Sequence, residues 1–218
     1  MDQKKLHQQS HHGEPSFLRK PRMFGLEPSV AAVKALKSFQ EKNIKSIVEL
    51  GAGLGRDTMF FAKNSVYVEA LDYSETSVQS ISSKSKKLNL TDLIKAKVFD
   101  VRKKLPFENN SIEACFSHML YCMALSNSEI DNLNNEIFRI LKPGVINIYT
   151  VRHTDDGDYK NGIHIGEDLY ENDGFIVHFF SKEKVNQLSK GFKVLSIEKF
   201  EEGTFPRKLF MVKNKKIY

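Results

Sequence analysis

The run Ser46-Ile47-Val48-Glu49-Leu50-Gly51-Ala52-Gly53-Leu54-Gly55-Arg56 decides how the chain is read. Its first five residues are mostly apolar and β-rich, the right length for a short buried strand and too few for a helix. The alternating glycines that follow mark a tight turn, where the lack of Cβ atoms lets backbone N–H groups approach a ligand closely. From Arg56 to Asn64 a helical pattern resumes through Met59, Phe60 and Ala62. Strand, glycine turn and helix form the unit of an open parallel sheet, whose ligands sit outside the carboxyl ends of the strands.

The same alternation continues on both sides. Upstream, a polar and basic arm reaches to about Glu27. Pro28 and Ser29 then open an amphipathic helix through Val30, Val33, Ala35, Leu36 and Phe39, with Pro28 suited to its first turn. Downstream, Val66 to Asp72 reads as a second strand, Glu75 to Leu88 as a Ser/Lys-rich helix, Ala96 to Phe99 as a third strand and Ile112 to Ser117 as a fourth. Ile130, Leu133, Ile137, Ile140 and Leu141 mark a helix that ends before Lys142-Pro143-Gly144, and Val145 to Val151 makes a fifth strand. Ser181 to Ser189 is another helix, and Phe192 to Phe200 and Leu209 to Lys213 pair antiparallel across the Glu201-to-Arg207 connection. The fold class is therefore α/β: a doubly wound, mostly parallel seven-stranded sheet with an antiparallel terminal strand pair, covered by helices on both faces.

Composition bounds the rest. At 218 residues with 40% hydrophobic positions, the chain supports one domain with a sizeable core. No apolar run approaches the length of a membrane span, and the N-terminal arm has no apolar stretch of the secretory kind, so the expectation is a soluble, cytoplasmic protein. Cys115 and Cys122 fit neither a disulfide framework nor a metal knuckle and read as reduced core thiols. The net charge of +6 is carried largely by lysines near residues 84–104 and by Lys213, Lys215 and Lys216. Aromatic residues do not interleave with them, so a nucleic-acid partner is not expected. His7, His11 and His12 lack a carboxylate or cysteine at ligand spacing, and no metal site is assigned.

A dinucleotide fingerprint needs Gly-x-Gly-x-x-Gly, but the glycines here fall at 51, 53 and 55, and Arg56 stands where the third would be. Four motifs instead follow in order: Glu49 to Gly55, Leu71-Asp72-Tyr73-Ser74, Phe99-Asp100-Val101 and Leu141-Lys142-Pro143-Gly144. In this the chain resembles the class I S-adenosylmethionine-dependent methyltransferases, with their Rossmann-like sheet. It is loosely similar, through Arg56-Asp57-Thr58-x-Phe60-Phe61-Ala62, to the tellurite-resistance and thiopurine type that acts on small molecules.

The resemblance covers about residues 28 to 151 and, more loosely, the terminal strand pair. It implies S-adenosyl-L-methionine as cofactor, held by Glu49, Gly51, Ala52, Gly53, Gly55, Asp72, Tyr73, Ser74, Asp100, Val101 and Ser117. Asp72 would accept from both ribose hydroxyls, Asp100 from the adenine amino group, and the Val101 N–H would meet a ring nitrogen. Glycines at 51 and 53 leave room for the methionine and ribose portions. The alternative is that the turn serves only strand–helix packing and that Asp72 caps the following helix. Arg56 is either a first-turn surface residue or a carboxylate-binding group.

Methyl transfer from a sulfonium asks mainly for alignment of the nucleophile and control of its proton. His118 and Tyr121, after the fourth strand, are the candidate catalytic residues, His118 as an orienting or proton-accepting group. The segment lacks the Asn/Asp-Pro-Pro-aromatic signature of enzymes acting on base amines. Residues 1–27 are read as an arm whose Phe17 to Phe24 stretch closes as a lid, and 28–218 as the methyltransferase domain. Residues 152–180, carrying Arg152, His153, Tyr159, His164, Glu167, Tyr170 and His178, are read as a substrate-capping insertion. The expected function is methyl transfer to a small-molecule acceptor. Methylation of a protein or RNA group and a non-catalytic cofactor-binding partner module are the competing readings, and the oligomeric state is left open.

Overall fold

The computed structural model describes residue 25 and residues 27–172, 174–203 and 206–218. The expected lid at residues 17–24 and the three N-terminal histidines lie outside the described residues.

The chain begins with helix α1 (Val30–Glu41), whose N-cap Ser29 accepts from Ala32 N with its side chain. Pro28 therefore precedes the cap instead of sitting in the first turn, because the Ser29 hydroxyl is what satisfies the orphan first-turn donors. The buried face is Ala31, Ala32, Ala35, Leu36 and Phe39, while Val30 and Val33 point outward. Small alanines let the helix lie close to the sheet. Strand β1 (Ser46–Leu50), helix α2 (Arg56–Lys63), strand β2 (Tyr67–Asp72) and helix α3 (Glu75–Lys87) follow. Next come β3 (Ile94–Val98), β4 (Ile112–Ser117), α4 (Asn127–Ile140) and β5 (Leu141–Arg152). After β6 (Ile163–Gly166), β7 (Leu169–Asn172) and β8 (Phe175–His178), helix α5 (Lys182–Leu188) leads to the hairpin β9 (Phe192–Glu202) and β10 (Arg207–Lys216).

Seven strands form one sheet in the order β3-β2-β1-β4-β5-β10-β9. Neighbours from β3 to β5 pair in parallel, and β10 is antiparallel to both β5 and β9. Successive side chains alternate between two apolar layers. Ala114 and Phe116 of β4 and Ile146 and Ile148 of β5 pack with α1 to α3, whereas Cys115, Tyr149 and Val151 pack with α4 and α5. A sheet covered twice needs near-continuous apolar strands, which is why Ile112 to Ser117 was legible to the residue.

Several strands differ in extent from expectation. Strand β3 starts at Ile94, which pairs with Val68, two residues before the expected start. Strand β5 reaches back to Leu141, paired with Ile112 across a register shift, so Lys142-Pro143-Gly144 is an irregular step inside the ladder. The β9–β10 pair is longer than expected and carries a register shift at Lys213/Asn214. Residues 152–180 hold a three-stranded antiparallel sheet of their own, in the order β6-β7-β8.

Both cysteines are buried and unbridged, and burial pushes the Cys122 thiol up to about 11. Among the described residues no helix is long and apolar enough to cross a membrane, and no group of three or more His, Cys, Asp or Glu side chains could hold a metal ion.

Candidate active site

The winding direction reverses between β1 and β4, and a crevice opens there at the carboxyl ends of the strands. Gly51 after β1, Asp72 and Tyr73 after β2, and Phe99, Asp100 and Val101 after β3 form one wall. Leu120, Met123, Ala124 and Leu125, after β4, form the apolar wall opposite. Five of the predicted cofactor residues thus meet in one depression: Gly51, Asp72, Tyr73, Asp100 and Val101.

The glycine turn is held from below and from the side. Gly51 N and Ala52 N donate to Leu71 O at 2.8 and 3.2 Å, and Gly53 N donates to Asp72 Oδ2 at 2.8 Å. Gly51 has φ +71°, and a Cβ there would stand 3.0 Å from Cδ1 of Leu120, a residue of the opposite wall. Gly55, the N-cap of α2 at φ +83°, is needed for a different reason: an added Cβ would lie 2.6 Å from Ile81 Cγ1 of α3.

Asp72 is 4% exposed, and its second oxygen accepts from Ser74 N at 2.9 Å. It does not cap α3, since Ser74 does so by accepting from Ser77 N at 3.0 Å. Both carboxylate oxygens thus accept backbone N–H groups. Asp100 forms a forked ion pair with Arg102, whose Nη2 lies 2.7 Å from Asp100 Oδ2. The Arg102 hydrogen bonds keep the Asp100 carboxyl below its ordinary range, although burial alone would raise it.

Glu49 is buried behind the turn, where its Oε2 accepts the Thr58 hydroxyl at 2.6 Å. Burial, then the Asp57 carboxylate, drives it well above the ordinary carboxylate range. Asp57 in turn accepts Ser29 N and Ser29 Oγ, both at 2.7 Å, tying the cap of α1 to the first turn of α2. Neither acid lines the crevice; they fix the helix whose N-terminus the turn enters.

After β4 the two candidate catalytic residues part company. Tyr121 is fully buried and stacks on Tyr149 with ring centroids 4.6 Å apart, inside the layer between the sheet and α4. Its burial lifts the phenol well above its ordinary range. His118 is largely buried and does not line the crevice. Its Nδ1 lies 3.0 Å from Thr150 Oγ1 and its Nε2 3.6 Å from Glu202 Oε2. Burial, aided by Arg56 and Arg207, pushes its pKa down to about 3. Ser117 is fully buried, and its hydroxyl has no hydrogen-bond partner among the described residues.

The insertion braces the crevice wall from outside. His178 Nδ1 meets Leu125 O at 2.6 Å, His178 N donates to Cys122 O at 3.0 Å and Asn127 N donates to Glu167 Oε2 at 2.8 Å. Ala124 of the wall packs with Leu169 and Ile176. The Tyr159, Tyr170 and Phe179 rings pack on one another, with Arg152 over Phe179, and do not face the crevice described above. Sequence reasoning missed Thr150 and Glu202, which come from β5 and β9 and carry no spacing signal relative to the glycine turn.

Comparison with known proteins agrees with this architecture. Residues 47–144 match a family described as a methyltransferase domain. Over 104 residues the chain is 38% identical to phosphoethanolamine N-methyltransferase 1 of Triticum aestivum, covering 46% of this chain and 20% of that protein. The chain thus spans about a fifth of the length of this relative. A crystal structure described as a SAM-dependent methyltransferase from Methanosarcina mazei superposes with TM-score 0.71 at 18% identity, over 80% of this chain and 93% of that one. The 1,6-didemethyltoxoflavin-N1-methyltransferase of Burkholderia thailandensis, solved with bound 1,6-didemethyltoxoflavin and S-adenosylhomocysteine, gives TM-score 0.69 at 14% identity over 87% of this chain and 79% of that one.

Proposed function

From the premise that residues 47–144 are a methyltransferase domain carried on a class I methyltransferase fold, we propose that the protein binds S-adenosyl-L-methionine in the crevice and methylates a small-molecule acceptor. The observation that carries this is the placement of Asp72: a buried carboxylate that closes the glycine turn and also lines the crevice.

The residues present suit the cofactor. Gly51 leaves the space beside Leu120 that any side chain would fill. Asp72 offers acceptor capacity to a ribose diol, and Phe99, Val101, Leu120 and Met123 give the apolar surface that an adenine ring needs. Asp100 and Val101, at the outer end, hold the base. The cofactor supplies an activated methyl group on a sulfonium. The chain's own part is to orient the acceptor and take up its proton, because an in-line displacement gains most from alignment. The relative from Triticum aestivum, whose name specifies an N-methyltransferase of phosphoethanolamine, supports a small acceptor.

Isothermal titration with S-adenosylhomocysteine, followed by an acceptor screen that reads S-adenosylhomocysteine release, tests the reading. Micromolar binding and turnover of a small acceptor are expected. A chain that binds no S-adenosylhomocysteine but binds a nicotinamide dinucleotide would overturn it.

A further inference from the structure

A polar cluster at the carboxyl edge of the sheet is explained neither by the glycine turn nor by the crevice. Four elements contribute to it: Arg56 opens α2, His118 follows β4, Thr150 lies in β5, and Glu202 ends β9. The strand order brings them together. Because β10 is antiparallel to both its neighbours, β9 runs parallel to β5 and its carboxyl end reaches the same edge, where Leu209 pairs with both Arg152 and Phe200.

Arg56 Nη2 donates to Glu202 Oε1 at 2.9 Å. Glu202 Oε2 is buried, accepts no hydrogen bond among the described residues and faces His118 Nε2 at 3.6 Å. On the other side of the imidazole, Thr150 Oγ1 accepts Met119 N at 2.8 Å, which leaves its hydroxyl proton for His118 Nδ1. A lone pair on Nε2 would confront a carboxylate oxygen, so the neutral ring carries its proton on Nε2. His118 is then a fixed donor with no free lone pair, and the acceptor left open in the cluster is Glu202 Oε2.

We propose that Glu202 is the acceptor-binding carboxylate: it pairs with the ammonium end of a small primary or secondary amine and takes one proton from it on Oε2. This deepens the methyltransferase reading and rests on it. Along the sheet, the adenine and ribose residues follow β3 and β2 and the glycine turn follows β1. The far end of a cofactor so laid therefore points toward the ends of β4, β5 and β9.

An amine fits better than an acid or thiolate because the open group is a carboxylate oxygen, which attracts an ammonium and repels an anion. Arg56 is committed to Oε1, Arg207 stands opposite Glu202 in the β9–β10 ladder, Asp57 adds negative charge and His118 is neutral. Burial, the largest influence, raises the Glu202 carboxyl against the pull of Arg56, which suits uptake of a proton. In the step, the ammonium gives a proton to Oε2, the freed nitrogen pair forms the N–C bond, and the methyl–sulfur bond breaks with its pair remaining on sulfur. The N-methylated ammonium carries the positive charge away.

The test uses the full chain with phosphoethanolamine, ethanolamine and 2-mercaptoethanol as probes. In the S-adenosylhomocysteine complex, calorimetry of the wild type should show binding of an amine and none of the thiol. Glu202→Gln should lose that binding and about 100-fold or more in turnover, the span of a lost proton acceptor, with S-adenosylhomocysteine affinity unchanged within twofold. Glu202→Asp should restore part of it. The proposal is overturned if Glu202→Gln keeps amine binding and turnover, if the wild type takes the thiol and neither amine, or if it takes none of the probes. Failure of the wild type to bind S-adenosylhomocysteine would instead remove the methyltransferase reading itself.

Discussion

Asp72 and Gly53 close the glycine turn between them: the carboxylate that ends β2 accepts the Gly53 amide at 2.8 Å, so one side chain shapes the loop and also faces the crevice. Its removal should therefore cost twice. Asp72→Ala is expected to weaken S-adenosylhomocysteine by about 10- to 100-fold, matching the roughly 1 to 3 kcal/mol of unsatisfied polar groups. It should also lower the melting temperature, because Gly53 N and Ser74 N lose their acceptor. Titration calorimetry and thermal unfolding read the two effects separately, and an unchanged affinity would refute the ribose role.

The glycines of the turn should not be equivalent. An alanine at 55 would place its Cβ 2.6 Å from Ile81 Cγ1, while one at 53 meets nothing within 4 Å. Gly55→Ala is expected to destabilise by about 2 to 4 kcal/mol, combining left-handed backbone strain with overpacking. Gly53→Ala should lose about 1 to 2 kcal/mol from backbone strain alone. Urea unfolding at pH 7 gives the ranking, and equal losses would show that the α2–α3 contact is unimportant.

Glu49 makes stability fall as pH rises. Its folded-state carboxyl lies well above the ordinary value because it is buried beside Asp57 and Asp72. The folded chain therefore holds a proton that the unfolded chain releases near pH 4.3, and its stabilising effect fades from there upward toward the folded value. Glu49→Gln should flatten that decline. Unfolding free energies measured from pH 4 to 7 check it, and parallel curves for the two proteins would contradict the burial argument.

His118 and His178 act in the opposite direction. Burial depresses them to about 3 and about 4, whereas both take a proton near pH 6.5 once unfolded. Their contribution is complete above pH 6.5 and is lost as pH falls toward those folded values. His118→Gln and His178→Gln should each weaken the acid-side loss, measured by urea unfolding between pH 4.5 and 7. The same depression means that the pH dependence of kcat/KM should show no inflection near 6.5 that vanishes in His118→Gln. Such an inflection would make His118 a base and contradict the neutral ring with its proton on Nε2.

Most of the sheet was legible because a strand covered on both faces must be apolar throughout, and Ile47, Val48 and Leu50 or Ala114 to Phe116 admit no other reading. The edge strand β3 was misplaced by two residues because Lys95 and Lys97 interrupt its apolar signal, only Ile94 being buried there. The small sheet of residues 163–178 escaped notice because strands of four residues, broken by glycine and exposed on one side, have no periodicity to read. Tyr121 and His118 looked alike in the chain, three residues apart after one strand. Which of them faces the core depends on the turn at Met119, where φ is +59°.

By itself the sequence determined the parallel α/β sheet and the turn at residues 49–55, because apolar runs, glycine spacing and a carboxylate at a strand end are local properties of the chain. The tertiary structure alone decided which acids do what. Glu49 and Asp57 lock helices, Asp72 opens to the crevice, and Glu202 arrives from 146 residues away to meet Arg56. The reason is physical: a carboxylate's role is set by its burial and its partners, and both are fixed only when distant strands are brought to one edge of a sheet.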